Sequence, residues 1–380
     1  MKYIERSLDL EQVLLHKSCF LFGPRQTGKT WIIKNRLSNY KYFNLLDTKT
    51  YTQFAYAPHI LQELVTSQDS VVIIDEVQRL PILLNEVQIL IEEKNIHFLL
   101  TGSSSRKLKR KGINLLGGRA RIRNLHPFIY TELIDYFDLD KALEIGLVPS
   151  IYFSDAPYED LESYIGTYLQ EEIAAEALVR NIPAFSRFLT ISALSNSQII
   201  NYTNIANDSQ VPSSTIQEYF QILRDTLIGS DLPVWKKSLK RKPISTSKFY
   251  FFDIGIARYL QRRRNLSSGT VEYGEAFETY IHHELKSYID YTKQGDLCFW
   301  RSTNGQEVDF ILNDSTAIEV KSKMTIAPKD LKGLRALKEE ELLKHYLIVY
   351  PGSDERVTED GISIVPYSTF IKRLWKGMYL

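Results

Sequence analysis

The 380-residue chain contains only two cysteines, Cys19 and Cys298, too few for a disulfide framework or a four-ligand cysteine zinc site. Long hydrophobic runs are also missing, since no apolar stretch approaches the roughly 18–20 residues that a membrane-spanning helix needs. Glu5, Arg6 and Asp9 interrupt the region where a signal peptide is apolar. We therefore expect a soluble cytoplasmic protein that has no membrane partner.

The chain also has little net charge, because 47 Lys and Arg residues oppose 46 Asp and Glu residues to give +1. That balance alone predicts no nucleic-acid partner. Positive charge is nevertheless concentrated in two stretches that contain no acid, and the basic residues in them are Arg106, Lys107, Lys109, Arg110, Lys111, Arg119, Arg121 and Arg123, then Lys236, Lys237, Lys240, Arg241, Lys242 and Lys248. Such runs are usually solvated surface, but they can also attract phosphate, and both interpretations stay open.

Apolar residues make up 44% and charged residues 24% of the chain, which excludes a disordered or fibrous protein. Up to about residue 149, short apolar runs at Ser18–Phe22, Ser70–Ile74 and Ile96–Leu100 alternate with helical stretches. Runs that are apolar on both faces are typical of buried parallel strands. The alternation predicts a doubly wound α/β layer.

The first of these runs leads into a phosphate-binding motif. Gly23-Pro24-Arg25-Gln26-Thr27-Gly28-Lys29-Thr30 matches the pattern G-x-x-x-x-G-K-[ST] between a strand and a helix. The glycines let backbone amides converge on phosphates at a helix N-terminus. Lys29 supplies a positive charge to those phosphates, and the Thr30 hydroxyl is a ligand for Mg²⁺. We therefore predict that the chain binds ATP with Mg²⁺.

Acids and hydroxyls follow the next two strands. Asp75 and Glu76 end the run at Val71–Ile74, as in a Walker B element, where Asp75 would bind Mg²⁺ and Glu76 would act as general base toward water. Thr101 and Ser103 follow the third run and are candidates to contact the γ-phosphate or the water. The alternative is that these hydroxyls cap a following helix.

The segments GPRQTGKT, VVIIDEVQ, LLTGSSS and LLGGR, in this order, resemble the AAA+ ATPase domain of a large prokaryotic family. In that family the ATPase domain precedes a winged helix and a nuclease-like domain. The resemblance implies an ATP-hydrolysing enzyme that forms a homo-oligomer, most simply a hexameric ring. It also implies that Arg119 is a finger that reaches the γ-phosphate of a neighbouring subunit, although a surface or DNA-contacting arginine is the alternative.

The middle of the chain is predicted to be a winged helix. Ile216, Tyr219, Phe220 and Leu223 recur at the spacing of a buried helix face, and Ser213 or Ser214 is the expected N-cap. The basic residues from Lys236 to Lys242 would form the wing or its approach. The exposed helix face has few basic residues, so DNA contact and structural packing are equally open.

The last third is similar to the PD-(D/E)xK nuclease pattern. Glu319 and Lys321 lie two apart on a strand and therefore point to the same face. Glu278 on a helix, Asp309 on the preceding strand and Glu319 could hold Mg²⁺ or Mn²⁺, while Lys321 would orient water and stabilise developing charge. Cleavage remains open, because a nuclease-like fold can persist without activity.

The predicted fold is thus α/β, with a P-loop AAA+ domain at 1–150, a helical linker or lid at 151–196, a winged helix at 197–265 and a restriction-endonuclease-like α/β domain at 266–380. Two functions fit this organisation. In the first, ATP hydrolysis moves or remodels DNA, with a possible metal-dependent nuclease. In the second, the protein is a nucleotide-dependent switch or assembly protein whose inactive nuclease-like fold binds DNA or protein.

Overall fold

We describe a computed structural model of the chain, which covers residues 3–104, 106, 108, 116–172, 179 and 181–380, with the backbone alone at 170–172. Four residues of the first basic stretch, Lys107, Lys109, Arg110 and Lys111, lie outside the described residues. Over the ranges that are described, no helix is long and apolar enough to cross a membrane.

The N-terminal unit is built on a five-stranded parallel sheet. Its strands are β1 (Ser18–Phe22), β2 (Lys41–Asn44), β3 (Val71–Asp75), β4 (His97–Gly102) and β5 (Ala120–Asn124), in the order β2-β3-β4-β1-β5. Its helices are α1 (Leu10–Leu14), α2 (Lys29–Arg36), α3 (Thr48–Tyr56), α4 (Ile60–Leu64) and α5 (Leu83–Lys94), with 3₁₀ turns at Val77–Arg79 and Leu116–Gly118. All residues of β1 and β3 are buried, so the prediction of buried parallel strands is confirmed.

The middle unit is mainly helical. Its helices are α6 (Leu139–Ile145), α7 (Pro149–Tyr152), α8 (Pro157–Ser163), α9 (Ile182–Leu194), α10 (Tyr202–Ser209), α11 (Ser213–Asp225) and α12 (Ile254–Leu260), with a π-helical segment at Tyr164–Glu172. Three antiparallel strands, β6 (Gln198–Ile199), β7 (Gly229–Leu232) and β8 (Lys248–Phe251), form a small sheet in the order β6-β8-β7. One hydrophobic core runs from Ile145 to Leu260 through this unit.

Helix α11 shows which details of the sequence prediction hold. Ile216, Tyr219, Phe220 and Leu223 are all buried, as their spacing predicts. The predicted cap is wrong, because the helix begins at Ser213 itself, Pro212 occupies the N-cap position and no side chain caps the end. The fixed backbone angle of Pro212 directs the chain into the first turn without a serine cap.

The C-terminal unit is a six-stranded mixed sheet with helices against it. Its strands are β9 (Leu297–Arg301), β10 (Glu307–Leu312), β11 (Thr316–Val320), β12 (His345–Tyr350), β13 (Arg356–Val357) and β14 (Ser363–Pro366), in the order β13-β14-β12-β11-β10-β9. Its helices are α13 (Val271–Thr292), α14 (Lys332–Lys338) and α15 (Tyr367–Leu374), with a 3₁₀ turn at Pro328–Leu331. Phe310 pairs with Ile318 in antiparallel register, which places Asp309 opposite Glu319.

The second basic stretch lies against the C-terminal unit. Lys237 pairs with Asp314 at 2.6 Å, and Arg241 pairs with Glu339 at 2.5 Å. Bridges between Val234 and Phe299 and between Pro243 and Ser302 continue the contact through the backbone. Two of the five positive charges predicted for a wing, Lys237 and Arg241, therefore meet acids of the same chain.

Helix α13 buries an acid at the contact between the C-terminal unit and the segment after β5. The Glu284 side chain is fully buried, and its Oε1 accepts a hydrogen bond of 2.7 Å from the Tyr130 amide. Burial, with the charge of Glu132 acting in the same direction, raises the pKa of Glu284 to about 8 against the opposing effect of the Tyr130 hydrogen bond. The carboxyl is therefore largely neutral at pH 7.

We expect Glu284→Gln to reduce the pH dependence of stability. Because the folded pKa of about 8 exceeds the unfolded value of 4.5, the wild type loses stability as pH rises across that window. Gln keeps a neutral side chain and an acceptor for Tyr130, so at pH 9 the variant should be more stable by about 2–4 kcal/mol. Urea unfolding at pH 5 and pH 9 measures this. A variant that is less stable at both pH values would contradict the buried neutral acid.

Candidate nucleotide site and acidic cluster

The phosphate-binding motif folds into a tight loop between β1 and α2. Gly28 has φ of +100°, a backbone conformation that glycine adopts without strain. A Cβ at Gly23 would lie 2.5 Å from the Leu125 carbonyl oxygen, so this position also requires glycine. The Lys29 ammonium is buried inside the loop, where it donates to the carbonyls of Gly23 at 2.6 Å and Pro24 at 3.0 Å. Burial lowers the pKa of Lys29 to about 8, against the opposing effect of Glu76 and Asp75.

Asp75 stands at the centre of a group of hydroxyls at the end of β3. Its carboxylate accepts a bond of 2.8 Å from the Tyr42 hydroxyl and one from the Thr101 hydroxyl, and Thr30 Oγ1 lies 3.4 Å away. The Asp75 side chain is thus held beside Thr30 from both neighbouring strands.

Glu76 follows with φ of +62°, which turns the chain out of the strand. Its amide donates to Thr101 Oγ1 at 3.2 Å, and its Oε2 accepts from Gln78 at 2.5 Å. These two bonds fix both the backbone and the carboxylate of Glu76.

A cavity of about 410 Å³ opens beside the loop. Arg25, Gln26, Gly28, Lys29, Thr30 and Glu76 line its polar side. Tyr3, Ile4, Phe128 and Pro149 form an apolar wall next to it, and Ser150 donates to Gln26 at 2.6 Å across the rim. The lining therefore combines polar groups suited to phosphates with apolar side chains against which a planar ring could lie.

The structure separates the other predicted residues from this cavity. Thr101 is fully buried and its hydroxyl contacts Asp75 and Glu76, so it orients the acids, while Ser103 lies buried just after β4. The alternative prediction, that these hydroxyls cap a following helix, concerns a helix within residues 105–115, of which the structure describes only 106 and 108. Arg119 lies on the surface, paired with Glu92 at 2.6 Å, and it does not line the cavity of its own chain.

Arg6 is a residue of this site that the sequence prediction missed. Its side chain is almost fully buried and its Nε pairs with Glu132 at 2.9 Å. Nη1 donates to the Thr27 carbonyl in the phosphate-binding loop at 2.5 Å, and Nη2 donates to the His126 carbonyl at 2.7 Å. A buried arginine needs acceptors for all of its N–H groups, and these come from segments far apart in the chain. No local pattern around Arg6 indicates them.

The residues at the end of β3 fit a magnesium ion that is shared with a nucleotide. Mg²⁺ retains waters and takes few protein ligands beside phosphate oxygens. Thr30 and Asp75 present one hydroxyl and one carboxylate at the mouth of the phosphate loop, which is the donor set such an ion uses.

A second group of charged residues lies in the C-terminal unit. We use the name acidic cluster for Glu278, Glu307, Asp309 and Glu319, which come from α13, β10 and β11. The Lys248 ammonium, from β8 of the middle unit, lies 2.7 Å from Glu307, 3.2 Å from Glu278 and 4.0 Å from Asp309. Lys321 pairs with Glu319 at 2.5 Å. The four residues predicted for the nuclease site are therefore close together, but Lys248 lies among them.

Burial affects the ionisation of this cluster. Burial raises the pKa of both Asp309 and Glu319, and repulsion from neighbouring carboxylates adds to it. Burial alone lowers the pKa of Lys248, but the charges of Glu278, Asp309 and Glu307 more than offset this, so the ammonium stays charged.

We expect Arg6→Met to destabilise the protein by about 3–5 kcal/mol, because it leaves the Glu132 carboxylate buried without its charge partner. Replacing both residues, Arg6→Met with Glu132→Leu, should recover part of this loss. Arg373→Met is the control, since Arg373 forms an exposed pair with Glu355 and should cost about 1 kcal/mol or less. Urea unfolding measures all three. A double variant that is no more stable than Arg6→Met would contradict the importance of the pair.

Three family matches divide the chain into consecutive regions. Residues 15–134 match the family described as AAA domain. Residues 136–267 and 273–370 match two families described as domains of unknown function, DUF8612 and DUF4143. The second region spans both the predicted linker and the predicted winged helix, and the third contains Glu278, Asp309, Glu319 and Lys321.

Similar whole proteins are found in mycobacteria. The uncharacterized proteins Mb2031c of Mycobacterium bovis and Rv2008c of Mycobacterium tuberculosis are each 24% identical to this chain over 370 residues, covering 93% of it and 81% of the relative.

Solved structures give weaker likenesses. The replication initiator DnaA bound to AMPPCP and single-stranded DNA has 12% identity and a TM-score of 0.30, covering 58% of this chain and 90% of that one. The Aeropyrum pernix ORC1 protein in complex with DNA has 12% identity and a TM-score of 0.26, covering 65% and 86%. Such scores do not establish a common arrangement of the whole chain. Residues 15–134, which contain the parallel sheet, the phosphate-binding loop and the Asp75–Glu76 pair, are similar to the family described as AAA domain.

Proposed function

We propose that the protein binds Mg·ATP at the cavity beside α2 and hydrolyses it. The observation that carries this proposal is that the phosphate-binding loop and Glu76 line one cavity with apolar residues, while Asp75 lies 3.4 Å from the Thr30 hydroxyl of that lining. The phosphates would take the polar end, and the adenine ring would lie against Tyr3, Ile4, Phe128 and Pro149.

Each residue of the polar end has a distinct proposed role. The loop amides and Lys29 bind the phosphates, and Thr30 and Asp75 hold Mg²⁺. The bound ion would neutralise charge on the phosphates. Glu76 accepts a proton from the attacking water, and Gln78 keeps its carboxylate in place through the bond of 2.5 Å. Thr101 acts indirectly, by fixing Asp75 and the Glu76 amide.

The two units after the AAA domain support the switch function over a DNA-cutting one. We interpret the elements from α9 to β8 as a winged helix and the C-terminal sheet as nuclease-like. The charges of the wing segment pair with acids of the C-terminal unit, and Arg6 bonds both the phosphate loop and the Tyr291 hydroxyl on α13, at 3.4 Å. These contacts provide a direct connection through which nucleotide binding would change the position of α13.

DNA is the second candidate partner. Arg121 is exposed on β5, which is one of the two edge strands of the N-terminal sheet. An exposed arginine is accessible to a phosphate backbone, and this observation favours a DNA-dependent activity as the second candidate function.

We expect Lys29→Ala to abolish ATP binding. The substitution removes the only buried positive charge that the described loop contributes to the phosphates, whereas the glycine turn that shapes the loop is unchanged. Equilibrium titration with a fluorescent ATP analogue measures the affinity. Unchanged affinity would refute the assignment of the site.

The matched control is Glu76→Gln, which keeps the shape and the bond to Gln78 but cannot accept a proton. This variant should bind ATP like the wild type and lose most of its turnover, by roughly 10²–10⁴-fold. Wild-type turnover in Glu76→Gln would remove Glu76 from the role of general base and leave the binding site intact.

A further prediction concerns Arg119 in a ring, which we propose as a hexamer. If Arg119 acts on a neighbour's nucleotide, Arg119→Ala should keep ATP affinity and lose turnover by about 10³–10⁵-fold. Mixing Arg119→Ala with Lys29→Ala should restore some activity, because a Lys29→Ala subunit supplies an intact arginine to a neighbour that still binds ATP.

The alternative roles of Arg119 give a different result. If Arg119 contacts DNA instead, Arg119→Ala should hydrolyse ATP at the normal basal rate. It should bind DNA more weakly than the wild type, and that binding should depend less steeply on salt. A normal basal rate in an assembled ring, with assembly checked by light scattering, would rule out the finger.

A further inference from the structure

The acidic cluster has the residue types of a divalent metal site, so the question is which cation it holds. Asp309 and Glu319 face each other across the β10–β11 pair, and Glu278 reaches them from α13. Within the described ranges, however, no three His, Cys, Asp or Glu side chains have a geometry that could hold a metal ion.

One carboxylate oxygen of each of these three acids is already bonded to groups of the protein. Glu278 Oε1 accepts from the Tyr250 hydroxyl at 2.6 Å and from Lys248 at 3.2 Å. Asp309 Oδ2 accepts from the Val320 amide at 2.8 Å, and Glu319 Oε1 accepts from Lys321 at 2.5 Å. A divalent ion that used these oxygens would have to displace their donors.

Lys248 has the position and burial of a built-in cation. Its side chain is only 5% exposed, its ammonium is 2.7 Å from Glu307, and it lies 5.3 Å from the centre of the Phe299 ring. A charge buried to this extent is retained only when it is paired, and three carboxylates surround it. Tyr250, two residues further on the same strand, donates a hydrogen bond to Glu278, which is another acid of the cluster. Strand β8 therefore places one positive charge and one hydroxyl in the cluster.

We infer that the cation of the acidic cluster is the Lys248 ammonium. The acids that resemble a metal-nuclease motif bind Lys248 instead of a divalent ion, and this pairing joins the middle unit to the C-terminal unit. The C-terminal unit accordingly does not cleave nucleic acid by metal-assisted hydrolysis, and Glu278, Asp309 and Glu319 serve to fix β8 against α13, β10 and β11. One oxygen, Glu319 Oε2, is buried without a hydrogen-bond partner in the described structure. It is available to a cation once Lys248 is removed.

The test is a titration of the nucleotide-free full chain with Mn²⁺ alone, followed by electron paramagnetic resonance of the free ion. Wild type and Glu319→Gln should give the same binding curve, because the cluster holds no metal in either. Lys248→Ala should gain one Mn²⁺ site, and Lys248→Ala with Glu319→Gln should lose it again. Any weak site at the phosphate loop contributes equally to all four proteins, so a failure of the ATPase proposal does not affect this comparison.

The matched control is Lys237→Ala, which removes another lysine that joins the same two units. Its partner is the exposed Asp314, so this variant should gain no Mn²⁺ site and keep the wild-type Tm within about 1 °C. Lys248→Ala should lower Tm by roughly 5 °C, and Mn²⁺ should recover part of that loss.

Two results would overturn the inference. The first is a Mn²⁺ site in the wild type that Glu319→Gln weakens tenfold or more. The second is a folded Lys248→Ala protein that gains no site. If Lys248→Ala does not fold, the comparison of wild type with Glu319→Gln decides the question alone.

Discussion

The buried guanidinium of Arg6 is the interaction on which the arrangement of the nucleotide site depends. It pairs with Glu132, bonds the carbonyls of Thr27 and His126 and reaches the Tyr291 hydroxyl. These partners belong to the phosphate loop, to the segment after β5 and to α13 of the C-terminal unit. Because a buried charge is tolerated only when every donor has an acceptor, the position of each partner constrains the others. The phosphate loop is thereby coupled to a helix of another unit.

Several of the clustered basic residues pair with acids of another unit. Lys237 and Arg241 meet acids of the C-terminal unit, Lys248 enters the acidic cluster, and Arg106 pairs with Asp225 of α11. These four described residues of the basic stretches thus hold the units together. Arg119 instead pairs with Glu92 of its own unit, and Arg121 is exposed on β5.

The acidic cluster shows how one residue changes the meaning of a pattern. Asp309, Glu319 and Lys321 lie where the spacing of a nuclease motif predicts them, on neighbouring strands and close together. Lys248 is distant from that motif in the sequence, where it belongs to the second basic stretch. Its ammonium lies within 4.0 Å of Glu307, Glu278 and Asp309, so a cation supplied by the chain is already present among these acids. The motif therefore predicted that these acids lie close together, but it did not predict the lysine among them.

The sequence by itself determined the features that depend on residues close together along the chain. The apolar runs defined β1 and β3, the glycines defined the loop at Gly23–Thr30, and the spacing of Ile216, Tyr219, Phe220 and Leu223 defined the buried face of α11. Only the tertiary structure decided the partners of Arg6 and Lys248, the role of Thr101 beside Asp75 and the placement of the basic stretch. The pair Arg6–Glu132 spans 126 positions of the chain. Local periodicity carries no information about such contacts, because they depend on how separately formed elements pack and on which buried charges must then be paired.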